Sequence, residues 1–202
     1  MKLNWAEKWA VNNSLRVIQQ RLEIHWLGKN GNLKPGAVVL EVGCGRGAGA
    51  GLILKEFHPA VLQAMDLDAA MIRKARDYLS PESRKRISFY VGDVLRLPYK
   101  DKSLDALFGF GVLHHIPDWQ GALREIARVL KMGGTYFLEE IYPSLYQNFI
   151  TKHILLHPRE NRFLSQGLKQ ALIAANLHLE NFLDLPKIGI LGITIKGTGR
   201  PP

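Results

Sequence analysis

Cysteine is nearly absent from this sequence, because Cys44 is the only one among 202 residues. A single cysteine makes no intramolecular disulfide, so a disulfide-stapled fold is excluded, as is a zinc or iron–sulfur site built from several thiolates. A chain without disulfides is typical of a reducing compartment. We therefore expect a cytoplasmic protein without a metal site.

Long hydrophobic runs are also lacking. The longest run without Asp, Glu, Lys or Arg is Ala106–Pro117, with 12 residues, which is short of the ~18 that a membrane-spanning helix needs. Residues Met1–Lys8 contain no uninterrupted apolar core and do not match a secretory signal. The sequence predicts no transmembrane segment, which leaves contact with a membrane surface open.

Acidic residues are scarcer than basic ones. The chain has 18 Asp and Glu against 27 Lys and Arg, for a formal net charge of +9. This charge is spread along the chain and is compatible with nucleic acid, anionic lipid or an acidic substrate as partner. Apolar residues make up 47% and charged residues 22%, which excludes a disordered or fibrous chain and favours one globular domain.

Short runs rich in β-branched and aromatic residues alternate with helical patterns. The predicted strands are Val38–Val42, Val61–Met65, Ile87–Val91, Leu104–Phe110, Thr135–Glu140, Leu177–Leu185 and Ile188–Lys196. The predicted helices include Ser14–Leu27, Ala69–Leu79 capped by Asp68, Trp119–Leu130 capped by Asp118, and Phe163–Ala175. Such alternation predicts a doubly wound α/β fold with a mostly parallel sheet and helices on both faces. The last two strands have no room for a crossover helix and should form an antiparallel hairpin.

The strongest local signal is a glycine-rich loop after the first strand, Gly43-Cys44-Gly45-Arg46-Gly47. Glycines at these positions permit a tight turn and let a ligand lie against backbone amides at a helix N-terminus. Two alternatives stay open at this point. The loop could be a turn without a ligand, and Gly43-x-Gly45-x-x-Ala48 also fits a relaxed dinucleotide fingerprint.

Carboxylates stand at or near the ends of the first three strands. Asp66 follows the second strand, where it could accept hydrogen bonds from both hydroxyls of a ribose, and Asp68 already serves as the helix cap. Asp93, after Gly92 at the end of the third strand, could accept from an adenine amine or stabilise a turn. Glu41 lies inside the first strand, where a buried carboxylate needs a partner such as a ligand ammonium.

These residues resemble the class I S-adenosylmethionine-dependent methyltransferases, in the group that includes the ubiquinone- and menaquinone-biosynthesis enzymes (methyltransferase type 11). The resemblance covers about residues 35–140. It rests on the ordered motifs Leu40–Gly47, Met65–Asp68, Gly92–Val94, Leu97–Asp105, Val112–Asp118 and Leu123–Gly134. It implies a Rossmann-like sheet of seven strands with one antiparallel strand near its end, and S-adenosylmethionine as cofactor with S-adenosylhomocysteine as product.

The resemblance also implies which residues hold the cofactor. The glycine loop would lie against the methionyl part, Glu41 near its amino end, Asp66 at the ribose, and Leu67 and the residues after the third strand around the adenine. Residues after the fourth strand would meet the methionine moiety. The full predicted set is Glu41, Gly43, Cys44, Gly45, Gly47, Asp66, Leu67, Gly92, Asp93, Val94, Phe110 and Gly111.

The catalytic and acceptor-pocket candidates are His114, His115 and Tyr142, with Tyr146 and His153 as weaker ones; each could instead have a structural role. We expect residues 1–34 to form a helical, acceptor-side lid on the domain of residues 35–202. The connection Pro143–Arg162 should complete the acceptor side. Trp5, Trp9 and Trp26 of the lid could line a pocket, rest on a membrane interface or simply pack on the sheet. The helix Ser14–Leu27 has one apolar face, formed by Leu15, Ile18, Leu22 and Trp26.

The function predicted from this resemblance is in-line transfer of a methyl group to a small-molecule acceptor, hydrophobic or aromatic, such as a quinone precursor or a lipid. The alternatives are a nicotinamide-dependent oxidoreductase and a non-catalytic S-adenosylmethionine-binding module. No nucleic-acid substrate is expected, because the fourth strand ends in Gly109-Phe110-Gly111-Val112 without the Asn/Asp-Pro-Pro-aromatic element of amino-methyltransferases. A homodimer is compatible with the sequence.

Overall fold

The structure, a computed structural model, describes residues 14–146 and 161–198. Its strands are β1 Val38–Val42, β2 Val61–Asp66, β3 Ile87–Val91, β4 Leu104–Phe110, β5 Leu130–Ile141, β6 Leu177–Leu185 and β7 Gly189–Lys196. Its α-helices are α1 Ser14–Asn30, α2 Ala48–Phe57, α3 Ala69–Tyr78, α4 Pro81–Lys85, α5 Trp119–Val129, α6 Pro143–Tyr146 and α7 Ser165–Ala174. A 3₁₀ turn covers Leu113–His115.

The seven strands form one sheet in the order β3-β2-β1-β4-β5-β7-β6. The first five strands in this order are parallel, and β7 pairs antiparallel with both β5 and β6. The predicted fold class and the terminal antiparallel hairpin are confirmed. Because the strand order reverses next to β1, the carboxyl ends of β1 and β4 border the crevice where open α/β sheets bind ligands.

Two hydrophobic clusters cover the two faces of the sheet. One packs α5 and α7 against the sheet and includes Trp119, Leu123 and Leu172. The other packs α1, α2 and α3 against the opposite face and includes Ile24 and Ile53. Helices therefore lie on both faces, as predicted, and the strands are apolar on both sides.

The predicted helix starts are confirmed by their capping hydrogen bonds. A side-chain oxygen of Asp68 accepts from the backbone N–H of Ala70 at 2.9 Å, and Asp118 accepts from that of Gly121 at 2.9 Å. The predicted start of β5 at Thr135 is wrong, because the strand already begins at Leu130. Gly133 and Gly134, which follow α5 closely in the sequence, lie inside β5, where its pairing with β4 is irregular.

The apolar stripe expected on α1 does not pack against the sheet. Leu15, Ile18 and Leu22 are exposed, whereas Ile24 and Leu27 are buried. The helix is thus rotated relative to the prediction, and its buried face is shorter. None of the described helices is long and apolar enough to cross a membrane.

Candidate functional site

A pocket of about 220 Å³ lies at the carboxyl ends of the parallel strands. The segments that follow β1, β2, β3 and β4 line it, and Arg16 and Gln20 of α1 close one side. Every residue of the predicted cofactor set lines this pocket except Glu41 and Gly47. The members that line it are Gly43, Cys44, Gly45, Asp66, Leu67, Gly92, Asp93, Val94, Phe110 and Gly111.

The glycine loop needs its glycines for conformation as well as for space. Gly43, Gly45 and Gly47 have φ values of 66°, 53° and 83°, in a region that side chains disfavour. A Cβ on Gly43 would lie 2.6 Å from Cγ2 of Val112, whereas a Cβ on Gly45 would meet no atom within 4 Å. Gly45 therefore leaves bare backbone facing the pocket, and Gly47 is the N-cap residue of α2.

Asp66 connects the end of β2 to the glycine loop. Its Oδ2 accepts from the backbone N–H of Gly45 at 2.9 Å, and its Oδ1 accepts from that of Asp68 at 2.8 Å. The backbone N–H of Cys44 donates to the carbonyl of Met65 at 2.9 Å. These bonds fix the carboxylate at the pocket wall, and a carboxylate oxygen can accept more than one hydrogen bond.

The loop after β3 forms the neighbouring wall. The backbone N–H of Gly92 donates to the carbonyl of Asp66 at 3.1 Å, and Asp93 accepts from the backbone N–H of Leu95 at 2.9 Å. Val94 is buried, while Asp93 is exposed. Asp93 can therefore both stabilise the turn and contact a ligand, because Oδ1 accepts the hydrogen bond of the turn while the residue lines the pocket.

Glu41 lies buried behind the pocket wall. A side chain on Gly49, which lines the pocket, would collide with the Glu41 carboxylate and with the amide of Gln20. Oε2 of Glu41 has no hydrogen-bond partner within the described ranges. Burial and the nearby Asp66 carboxylate raise the pKa of Glu41 to about 8. A buried carboxylate oxygen without a partner fits a cationic group placed near Gly49, as the ammonium of a methionyl ligand would be.

The remaining wall follows β4 and depends on a carboxylate that the sequence analysis missed. Buried Glu140, near the end of β5, accepts from the backbone N–H groups of Val112, Leu113 and His114 at 3.0, 2.7 and 3.3 Å. Its Oε2 also lies 2.7 Å from Nδ1 of His114. Glu140 therefore fixes the loop of residues 111–117, which contributes Val112, His115, Ile116 and Pro117 to the pocket.

The adjacent Glu139 ties α1 to the same strand end. Nη2 of Arg16 donates to Oε2 of Glu139 at 2.8 Å, and Nη1 donates to Oε2 of Glu23 at 2.9 Å. Burial raises the pKa of Glu139 above its ordinary value, while Arg16 opposes that shift. The sequence did contain a signal for Glu139 and Glu140, because two consecutive glutamates at the end of an apolar strand are as unusual as Glu41 inside the first strand.

The structure separates the three catalytic candidates. His115 lines the pocket, whereas His114 is buried behind it with its ring 4.2 Å from that of His115. Tyr142 is not among the described residues that line the pocket, and its hydroxyl donates to Asp184 at 2.8 Å. The structure gives Tyr142 an interior structural contact in place of the expected position at the pocket.

Several residues of the predicted acceptor side cannot be placed. Trp5, Trp9 and His153 lie outside the described residues, as do positions 147–160 of the connection Pro143–Arg162, and the side chain of Tyr146 is not described. Trp26 is partly buried against the core beneath α1. Among the described residues, Arg16, Gln20 and the 111–117 loop line the part of the pocket for which the acceptor is predicted.

Residues 40–138 match the family described as "Methyltransferase domain". This part of the chain is a methyltransferase domain. The predicted resemblance is confirmed. The chain is 34% identical over 126 residues to sterol 24-C-methyltransferase ERG6B of Gibberella zeae, covering 61% of this chain and 33% of that one. It is 39% identical over 103 residues to fatty-acid O-methyltransferase of Mycolicibacterium smegmatis, covering 51% and 36%.

The fold agrees with solved structures of the same class. A SAM-dependent methyltransferase from Aquifex aeolicus superposes with a TM-score of 0.73 at 18% identity, covering 96% of this chain and 100% of the other. The chain spans about a third of the length of the two curated relatives. The methyltransferase domain contains the predicted cofactor residues, whereas Arg16, Gln20, Glu139 and Glu140 lie outside the matched range.

Proposed function

We propose that this chain transfers a methyl group from S-adenosylmethionine to a hydrophobic small-molecule acceptor. One observation carries the proposal: a single pocket joins a wall of bare glycine backbone and two carboxylates to a second wall with Val112, Ile116 and Pro117. The first wall suits an elongated polar cofactor, and the second suits an apolar acceptor.

Each end of the cofactor would have a chemically matched residue. Asp66 would accept from the ribose hydroxyls, because it lines the pocket at the end of β2. Asp93 would accept from the adenine amine, with Leu67 and Val94 against the ring. Glu41 would compensate the ammonium of the methionyl part from behind Gly49, and the positively charged ligand would favour the ionised form of this carboxylate.

When bound, S-adenosylmethionine supplies a methyl group already activated by its sulfonium, so the main task of the chain is to hold an acceptor atom in line with it. Orientation of this kind contributes several kcal/mol to a reaction, and a general base is needed only when the acceptor must lose a proton. His115 would take such a proton, because it lines the pocket. His114, held by Glu140, would position the neighbouring ring.

The apolar acceptor is supported by the pocket and by the relatives. The two curated relatives are named for a sterol and for fatty acids as the molecules that they methylate. We extend that class to this chain because Val112, Ile116 and Pro117 line the acceptor end. Residues 1–34 would act as the lid of the domain 35–202, since Arg16 and Gln20 reach the pocket from α1.

The cofactor is tested by the melting temperature of the chain alone, with S-adenosylhomocysteine and with NAD. Ligand at ~100 times its Kd adds roughly 2.7 kcal/mol of stability, which should raise the midpoint of a 202-residue chain by about 5–10 °C. Asp66→Ala should abolish most of the rise, whereas Asp77→Ala, at an exposed position on α3, should retain it. A rise with NAD alone contradicts the proposal.

The acceptor is tested by formation of S-adenosylhomocysteine in the presence of a fatty acid, a sterol, a quinol and a water-soluble amine. We expect turnover with at least one of the three hydrophobic compounds and none with the amine. Turnover restricted to the amine overturns the hydrophobic class. S-adenosylhomocysteine binding without turnover on any compound favours the non-catalytic module.

A further inference from the structure

Helix α1 presents an apolar face to solvent. Leu15, Ile18 and Leu22 are 75, 57 and 67% exposed, and their spacing of three and four residues places them on one stripe. The helix packs on the sheet through a different face, which carries Ile24 and Leu27. Scattered exposed aliphatics are ordinary, whereas contiguous apolar surface is typical of contact sites. We call these three residues the outer stripe of α1.

Positive charge surrounds the outer stripe. Arg21 and Lys29 are exposed on α1, and Lys55 is exposed on the neighbouring helix α2. Within the described ranges, none of these three side chains has an ion-pair partner. Each cationic head therefore remains available to an anionic group outside the chain.

The acidic residues nearby are already engaged. Glu23 accepts from Arg16, which is itself bound to Glu139. Oε1 of Glu56 lies 3.2 Å from Nδ1 of His25. The acidic groups of α1 and α2 thus turn toward partners within the chain, and the field outside the outer stripe is positive.

The apolar and cationic groups belong to one continuous surface. A groove between α1 and α2 is lined by Leu22 of the outer stripe, by Ile24 and Leu52, by Arg21 and Lys55, and by His25 and Glu56, which contact each other. Apolar and basic side chains thus share this surface. This is the arrangement of helices that lie in a membrane interface, with aliphatics in the acyl boundary and Lys or Arg at the headgroups.

We propose that the outer stripe of α1 docks on the surface of an anionic lipid bilayer. Charge complementarity selects this occupant, because lipid phosphates would pair with Arg21, Lys29 and Lys55 while the aliphatic side chains enter the interface. A second copy of the chain docking through the same face would bring like charges together. The chain's net charge of +9 favours the same encounter.

Docking would place the pocket beside the lipid surface. The turns of α1 that carry Leu15, Ile18 and Leu22 outward also carry Arg16 and Gln20 into the pocket wall. If the proposed function holds, a hydrophobic acceptor would reach the site from the bilayer. The docking itself is independent of that function and is measured without turnover.

The test is sedimentation of the full chain with vesicles of phosphatidylcholine alone or mixed with phosphatidylglycerol. We expect binding to the mixed vesicles, with weaker binding at high salt. Leu15→Gln/Ile18→Gln/Leu22→Gln should lower the partition coefficient at least about tenfold. Arg21→Gln/Lys29→Gln/Lys55→Gln should lower it about fivefold per charge.

Two triple variants serve as matched controls. Leu183→Gln/Leu185→Gln/Ile188→Gln removes aliphatics that are 49–56% exposed on the β6–β7 hairpin, and Arg73→Gln/Lys74→Gln/Lys85→Gln removes three exposed cations from α3 and α4. Both should bind vesicles like the parent chain. The proposal would be overturned if the parent chain did not bind vesicles or if the controls lost as much vesicle binding as the test variants. It would also be overturned if the parent chain were a dimer that only the outer-stripe variant converts to a monomer. The melting shift with S-adenosylhomocysteine, measured on each variant, reports separately on the proposed function.

Discussion

The two ends of the pocket are held together by contacts of different range. At the proposed cofactor end, formed by residues 43–49, 65–67 and 92–95, hydrogen bonds join neighbours or adjacent parallel strands, such as Gly45 to Asp66 at 2.9 Å. At the proposed acceptor end, formed by α1 and the 111–117 loop, Glu139 accepts from Arg16, which is 123 residues away in the sequence, and Glu140 accepts from Val112. Local turn chemistry shapes the first end, and buried carboxylates of β5 assemble the second.

This difference predicts different responses to mutation. A side chain at the cofactor end that faces the pocket can be replaced without leaving buried groups unpaired, so ligand affinity should fall more than stability. Removal of a β5 carboxylate leaves buried hydrogen-bond donors without an acceptor, so stability should fall more than ligand affinity. The three predictions below test this division.

Glu140→Ala should have the largest effect, a loss of about 3–5 kcal/mol in the free energy of unfolding. The backbone N–H groups of the 111–117 loop and the His114 ring lose a buried acceptor in this variant. Urea denaturation at fixed pH measures the loss. Glu180→Ala, at an exposed position on β6, should stay within about 0.5 kcal/mol of the parent chain. A loss at Glu140 no larger than that at Glu180 would show that the acceptor end does not depend on this carboxylate.

The range of the contacts also explains what the sequence could predict. The glycine loop and the cap Asp68 act within their own turns, and Asp66 reaches only the turn after the adjacent strand, so residue type and spacing were sufficient to place them. The sheet order and hairpin followed from strand and helix alternation. Glu139 and Glu140 act on partners 26 to 123 residues away, and a pattern along the chain does not contain those distances.

Helix α1 shows the same limit in its packing. Its periodicity identifies a helix with an apolar stripe, but the side that packs against α2 and β7 carries Ile24 and Leu27 and is fixed by the Arg16–Glu139 contact. Leu15, Ile18 and Leu22 therefore looked like core residues in the sequence. The positions of His115 at the pocket and Tyr142 in the interior were equally hidden, because both follow strands that end at the same edge.

Glu41→Gln tests the buried carboxylate behind Gly49, whose Oε2 has no hydrogen-bond partner among the described residues. Burial raises its pKa from 4.5 to about 8 in the folded chain, so the folded state keeps a proton that the unfolded state releases. Stability therefore falls as pH rises between these values, and the neutral variant lacks this fall. Asp66 and the Cys44 thiol face the same carboxylate.

The measurement is the unfolding free energy of both chains at pH 6 and pH 8, in the absence of ligand. The variant should gain about 2 kcal/mol relative to the parent chain over this interval. Glu180→Gln supplies the control for a carboxylate outside the interior and should follow the parent curve. Parallel curves for Glu41→Gln and the parent chain would show that Glu41 is already ionised in the folded chain, which would remove the argument for a proton displaced by a cationic ligand.

The smallest expected effect lies where the two ends of the pocket touch, at Gly43 and Val112. Gly43→Ala places a Cβ at φ 66° and 2.6 Å from Cγ2 of Val112, whereas Gly133→Ala places one at φ 73° with no atom within 4 Å. Both variants carry the same backbone strain of about 1–2 kcal/mol, so their difference, about 1 kcal/mol, isolates the contact. Val112→Ala in the Gly43→Ala background should recover that difference in urea denaturation. If Gly43→Ala is as stable as Gly133→Ala with Val112 unchanged, the loop that Glu140 holds has shifted to accommodate the new Cβ. That result would mean that the division between the two ends is weaker than the contacts imply.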